Sequence, residues 1–264
     1  MHTQRPSLQT ADSSAADAVQ HHTKEEYVLK IRIRFRKYSL MKYIGHLDIL
    51  RYFQKSMRRA GIDISYSGGF SPHQIMSFAA PLGVGLTSDG EYLDIQVEST
   101  DSSKESIKKL NDVMVEGMEI TSYRKLSDNE KNAMSVVACA DYHVFTKSEE
   151  KLKLADLLEA KKSYYDESDE ILVTKQTKKS EKVMDLKSLV YGFDIFESEG
   201  KIYYYVKLST GSTDNVKPEL FLTAFFKHMG LEFDETDYQI HRLDVYCRIE
   251  DKFVSLSETG EEIE

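Results

Sequence analysis

The chain has 264 residues, 41% of them apolar, enough to bury a substantial core in one large domain or, as we read it, two domains of ordinary size. Its formal net charge is −9 and it has only two cysteines, Cys139 and Cys247, which excludes a disulfide framework, a CxxC zinc pattern and a three-cysteine iron–sulfur set. No apolar leader and no window near the roughly 18 apolar residues of a membrane span is present, so the expectation is a soluble cytoplasmic protein that requires no membrane.

Residues 1–26 are polar and aperiodic and are expected to be a disordered extension, in which the pair His21 and His22 is a chance neighbourhood. From Val28 the pattern has period two. Leu29, Ile31, Ile33 and Phe35 alternate with Lys30, Arg32, Arg34 and Arg36, predicting a half-buried strand with a basic face. Aligned cations on one face suit a phosphate backbone or acidic partner, or an exposed sheet edge defended by charge. Residues 30–75 carry ten cations, including Lys42, Arg51, Lys55, Arg58 and Arg59, against only Asp48 and Asp63. Within an acidic chain, such an island reads as an anion site or as a solvated basic face.

The next segment, HLDILRYFQKSMRRA, predicts a helix stopped by Gly61. Leu47, Leu50, Phe53 or Gln54, and Met57 form the expected core stripe, and Arg51, Lys55, Arg58 and Arg59 a basic one. Gly45 can act as N-cap, with Asp48 bonding back as half a capping box. His46 and Asp48, with His73 further on, are the candidates for acid–base groups or metal ligands.

IDISYS predicts a short strand. The loop after it, Tyr66, Ser67, Gly68, Gly69, Phe70, Ser71, Pro72 and His73, combines two permissive glycines with a stacking ring, a rigid turn and a titratable group. It matches neither the P-loop nor the dinucleotide-binding glycine pattern. Gly83 and Gly85 mark a second glycine loop, the Asp89-Gly90 dipeptide predicts a turn into the strand EYLDIQVE, and a helix capped by Ser102 or Ser103 and the strand MEITSYRKL complete the unit. The order is βαββαβ, which predicts an α+β fold of ferredoxin-like type spanning 27–127 with a glycine-rich insertion.

A weaker copy follows over 135–250. Its expected strands are DYHVFTK, DEILVTKQT, KIYYYVKLS and YQIHRLDVYCRIE, its helices EEKLKLADLLEA and VKPELFLTAFFKHMG, and VMDLKSLVYGFDIFE is ambiguous. Pro218 at the first helical position, a Val216–Phe221 staple and Gly230 define the last helix. The sequence therefore predicts two ferredoxin-like units in tandem, antiparallel sheets with helices on one face, and a mobile acidic tail at 251–264.

One run carries a family resemblance. His46-Leu47-Asp48, Arg58-Arg59-Ala60-Gly61, the Ser67 to His73 loop, Ser77-Phe78-Ala79, Pro81 to Gly85 and Gly90 to Asp94 together resemble the DUF2344 family of radical-SAM-associated proteins. The resemblance covers residues 28–98 strongly and the rest thinly; Gln74 stands where the pattern has proline and Ile75 where a basic residue is common. It implies an accessory role beside a radical SAM protein as partner, without the cluster cysteines of the chemistry itself. The reading is a binding module with no metal or other cofactor, holding RNA through Arg32, Arg34, Arg36, Lys42, Arg51, Lys55, Arg58 and Arg59, with Phe70 or Tyr66 stacking a base. Alternatives are an adaptor that docks the radical SAM partner without nucleic acid, and an enzyme using His46, Asp48 and His73.

Overall fold

The computed structural model describes residues 28–148, 151–176, 181–211 and 214–264. The expected extension at 1–26 lies outside them. The fold is mixed α+β, dominated by antiparallel pairing.

Strand β1 (Leu29–Lys37) lies between β4 (Met118–Lys125) and β3 (Thr87–Val97), antiparallel to both. Its odd positions behave as the alternation requires, with Ile31, Ile33 and Phe35 buried. Helix α1 (His46–Ala60) covers that side, placing Phe53 4.8 Å from Phe35 between ring centroids. Gly45 is the N-cap, and Gly61 ends the helix at φ 68°, a left-handed turn that favours glycine. The buried stripe is Ile49, Phe53, Ser56 and Met57, whereas the expected Leu47 is 66% exposed. The stripe is rotated because Ile49 and Phe53 are the positions that pack into the core with Ile33, Phe35 and Phe78.

The segment IDISYS forms only isolated bridges, Ile64 to Val97 and Tyr66 to Gln74, and the short strand β2 (Met76–Phe78) takes the place beside β3. Asp89 and Gly90 are not a turn. They lie inside β3, where a side chain at Gly90 would come within 2.7 Å of the Asp244 and Leu243 backbones, so glycine there serves a close approach between strands. Helix α2 (Ser103–Asn111), with Ser102 accepting from Glu105 N–H, packs beside α1 and leads into β4.

After the single turn α3 (Ala133–Val136), β5 (Val137–Thr146) pairs with β9 (Lys201–Ser209) on one side and β10 (Tyr238–Ile249) on the other. Between them in sequence come α4 (Leu154–Lys161), the hairpin β6 (Leu172–Gln176) and β7 (Glu181–Asp185), β8 (Val190–Ser198), and α5 (Pro218–His228). The segment expected as a sheet strand, DEILVTKQT, instead forms a separate two-stranded sheet with β7, and the ambiguous stretch supplies the outer strand β8. The reason is pattern: Phe193 and Ile195 alternate inward on β8 against α5, with Phe193 4.8 Å from Phe221, whereas the hairpin is anchored to the core by its flanking residues Ile171 and Leu186.

The strands join in one nine-stranded sheet among the described residues, in the order β4-β1-β3-β10-β5-β9-β8, with β2 on β3 and β11 (Lys252–Ser255) on β10. The seam between the halves is the short parallel pairing of β3 with β10, His241 opposite Thr87 and Arg242 opposite Ser88. The two cores are also separate, one around Ile33, Phe53 and Leu93, the other around Tyr204, Phe221 and Phe225. The expected mobile tail is instead packed: β11 pairs with β10, Glu261 bridges Lys125, and Ile263 exchanges hydrogen bonds with Ser103 through its backbone. Within this acidic segment, Leu256 and Ile263 supply the apolar anchors.

Candidate functional site

The basic island is divided by the sheet. Because α1 packs on the Ile31, Ile33 and Phe35 side, Arg32, Arg34 and Arg36 point away from it, and the strand and helix cations do not share a surface. The strand cations are also neutralised, a correction to the expected open basic ladder. Arg32 is 2% exposed and forks onto Asp94, with Nε donating to Oδ1 at 2.8 Å and a terminal nitrogen to Oδ2 at 2.9 Å. Arg34 faces Asp244 at 3.7 Å, and Arg36 bridges Asp89 at 2.7 Å and Glu119 at 3.1 Å. Asp89 is held below the usual carboxylate range by Arg36 and His241, against the opposing pull of burial. Nor is β1 a defended edge, since β4 and β3 flank it.

The helix cations are different. Arg51, Lys55, Arg58 and Arg59 are all exposed, and only Arg51 has a carboxylate partner among the described residues, Asp48 at 3.1 Å. Asp48 thus engages Arg51 rather than the expected capping bond. Arg59 donates to the Val113 carbonyl at 2.7 Å, which fixes it over a hollow of about 480 Å³ lined by Tyr52, Lys55, Arg58, Arg59 and Val115. The Tyr52 hydroxyl accepts from Val115 N–H at 2.8 Å and so joins the hollow's two walls. Lys42, the last cation of the predicted set, is withdrawn toward Gln239, 2.9 Å away.

The glycine loop flanks the other side of α1. Gln74, 6% exposed, donates to the Gln54 carbonyl at 3.3 Å and anchors the loop at the position where proline was expected. Gly69 adopts φ 95°, Ser67 and His73 share a 2.8 Å hydrogen bond, and Phe70 at the tip is fully exposed, as is half of Tyr66. Gly68 and Pro72 complete the loop and are both exposed, and a Cβ at Gly68 would meet no atom within 4 Å.

The three acid–base candidates have separate surroundings. His46 packs edge-on against Phe78 at 5.0 Å, and burial with the nearby Lys37 pushes its pKa down. His73 belongs to the exposed loop and Asp48 to Arg51. No group of three metal-ligating side chains occurs among the described residues. No helix among them is long and apolar enough to cross a membrane.

Two features escaped sequence reasoning. One is a cavity of about 690 Å³ at the seam, where Gly83 and Gly85 of the second glycine loop meet Val216, Pro218, Tyr238 and Arg242, whose guanidinium is paired with the buried Glu91. Its walls come from segments more than a hundred residues apart, so no local signal announces it. The other is the side of β5, β9 and β8 opposite α5, where aromatic rings and lysines alternate outward; the alternation Tyr203, Tyr205, Lys207 within KIYYYVKLS was its available signal.

Among solved structures, the fold is similar to a chain in the crystal structure of a Cbf5–Nop10–Gar1 complex, at 10% identity and TM-score 0.47, over 81% of this chain and 48% of that one. A chain of the archaeal box H/ACA sRNP Nop10–Cbf5 complex gives 9% identity and TM-score 0.40, over 80% and 46%. An unknown protein from Galdieria sulphuraria gives 10% identity and TM-score 0.24, over 81% and 97%. The chain spans about half the length of the first two. No curated protein matches it. The family model described as an uncharacterized protein conserved in bacteria matches residues 30–218, and the chain belongs to that family, DUF2344.

Proposed function

We propose that the protein is a non-enzymatic module that binds single-stranded RNA along the outer face of α1. The observation that carries this is the pair Lys55 and Arg58, exposed one turn apart with no carboxylate partner among the described residues, beside Arg59 and Tyr52 around one hollow. Adjacent uncompensated cations repel, and a phosphate between them relieves that repulsion. The exposed rings of Phe70 and Tyr66, on the loop that Gln74 ties to the same helix, support a stacking contact with an unpaired base. The test is titration of a labelled oligouridine at several salt concentrations: Lys55→Glu with Arg58→Glu should weaken binding and flatten its salt dependence, and an unchanged slope removes the reading.

A second reading, an adaptor for a radical SAM protein, is favoured by the exposed Leu40, Tyr43, Leu47 and Val84, which the Gly85 N–H to Lys42 carbonyl bond draws together at the start of α1. Co-purification that survives RNase treatment and is lost in Leu47→Glu distinguishes it.

The strand orders β4-β1-β3 with β2, and β10-β5-β9-β8, support reading residues 27–127 and 135–250 as two ferredoxin-like units fused edge to edge.

A further inference from the structure

We infer that the helix-free face of β5, β9 and β8 is a second, base-stacking surface for single-stranded RNA, independent of α1, which lies across the sheet. Register fixes its membership. His143 is opposite Tyr205, Phe145 opposite Tyr203, Phe196 opposite Tyr203 and Asp141 opposite Lys207, so these side chains share one side. The alternate positions, Val144, Tyr204 and Val206, are buried on the other side against α5.

A sheet face turned to solvent ordinarily carries polar residues. Here it carries rings. Phe196 and Tyr203 stack at 5.5 Å with planes 8° apart, and His143 meets both edge-on at 5.5 Å. Phe145 lies 5.2 Å from Tyr203, and every one of these rings is only partly buried. Along β8, β9 and β5, the apolar outward residues from 192 to 198, 201 to 207 and 141 to 145 are all flat rings, with no branched aliphatic among them. That is the composition of a platform for planar bases rather than of an apolar protein contact.

Charge agrees with the geometry. Lys201 sits 5.7 Å from the Phe145 ring centre at one end of β9, and Lys207 sits 3.6 Å from that of Tyr246 at the other. Six residues of strand separate them by about 20 Å, room for the two or three stacked bases that a four-stranded sheet of this kind accommodates, with a cation for the phosphates at each end. Asp194, 64% exposed opposite Tyr205, offers a carboxylate acceptor to a ribose hydroxyl and favours RNA over DNA.

The test compares a labelled octameric oligouridine, its abasic analogue and the matching DNA, on the full chain and on Phe196→Ala with Tyr203→Ala. The double variant should lose about tenfold or more in affinity for the normal RNA. The abasic strand should lose at least the same factor on the wild type, and the double variant should bind it as the wild type does. Arg58→Glu should weaken normal and abasic strands equally, which separates failure of the α1 site from failure of this one. Unchanged affinity in a double variant with native circular dichroism and melting overturns the inference, and equal binding of DNA overturns the assignment to RNA. Should the double variant fail to fold, photocrosslinking of 5-iodouridine RNA to the wild type decides: adducts at Phe196, Tyr203 or Tyr205 support the surface, and adducts confined elsewhere overturn it. Self-association that the same residues abolish, without RNA binding, reassigns the face to a protein contact.

Discussion

Arg32 and Asp94 face each other across β1 and β3 and join through a two-pronged ion pair that is nearly closed to water. The Asp94 carboxylate also accepts from Ala133 N–H at 2.7 Å, and the Arg32 guanidinium donates to Thr259 Oγ1 at 2.7 Å. A residue that looks like a phosphate ligand in sequence is therefore the clasp that binds the chain before α3 and the C-terminal segment onto the sheet. Removing one partner leaves a buried unpaired charge, which typically costs about 3–5 kcal/mol. Arg32→Met or Asp94→Asn should lower the urea midpoint by a corresponding amount while leaving the RNA affinity of the molecules that remain folded unaltered.

Gly90 allows β3 and β10 to approach. A methyl group there would lie 2.6 Å from Asp244 Oδ1, and the backbone atoms nearby leave it no direction of escape. Gly90→Ala should destabilise by about 1–3 kcal/mol, the usual range for overpacking a closed site. Chemical denaturation reads this directly, and a neutral substitution would show that the seam relaxes.

Acid should loosen the fold through its histidines. Burial and Lys37 depress the pKa of His46 below the usual 6.5, and burial with His241 does the same to His143. The folded state therefore resists protonation that the unfolded chain accepts. Above about 6.5 neither state carries the charge and there is no penalty; as pH falls through that value, the unfolded chain gains protons first and stability declines. His46→Gln should flatten the loss of melting temperature between pH 7 and 5, and an unaltered pH profile would place the effect elsewhere.

The last residues hold the first half together. Glu261 pairs with Lys125 at the outer edge of β4, and Ile263 bonds through its backbone to Ser103 at the start of α2. Deleting 259–264 also strips Thr259 from Arg32. A cooperative fall in melting temperature is expected, where a mobile tail would give none.

Local pattern made the elements legible: period two in β1, the glycine stop of α1, the proline start of α5. It also carried the basic stripe of α1, whose cations are exposed as a helical wheel requires. It failed where meaning depends on a partner far along the chain. Arg32 and Arg34 look like ligands until Asp94 and Asp244 are placed opposite them, sixty and two hundred residues later. Asp89-Gly90 has turn composition, but β10 claims it as a strand crossing. The outward rings of β5, β8 and β9 become one surface only after pairing sets their register.

The joint between β3 and β10 has a mechanical consequence. The β3–β10 pairing and the Arg242–Glu91 clasp share the connection between the halves with the C-terminal strap of Thr259, Glu261 and Ile263. Tension between the two ends of the sheet must therefore strip that strap from β1, β4 and α2 as well as break the short parallel pairing, so the chain's last residues act as a safety line across the seam.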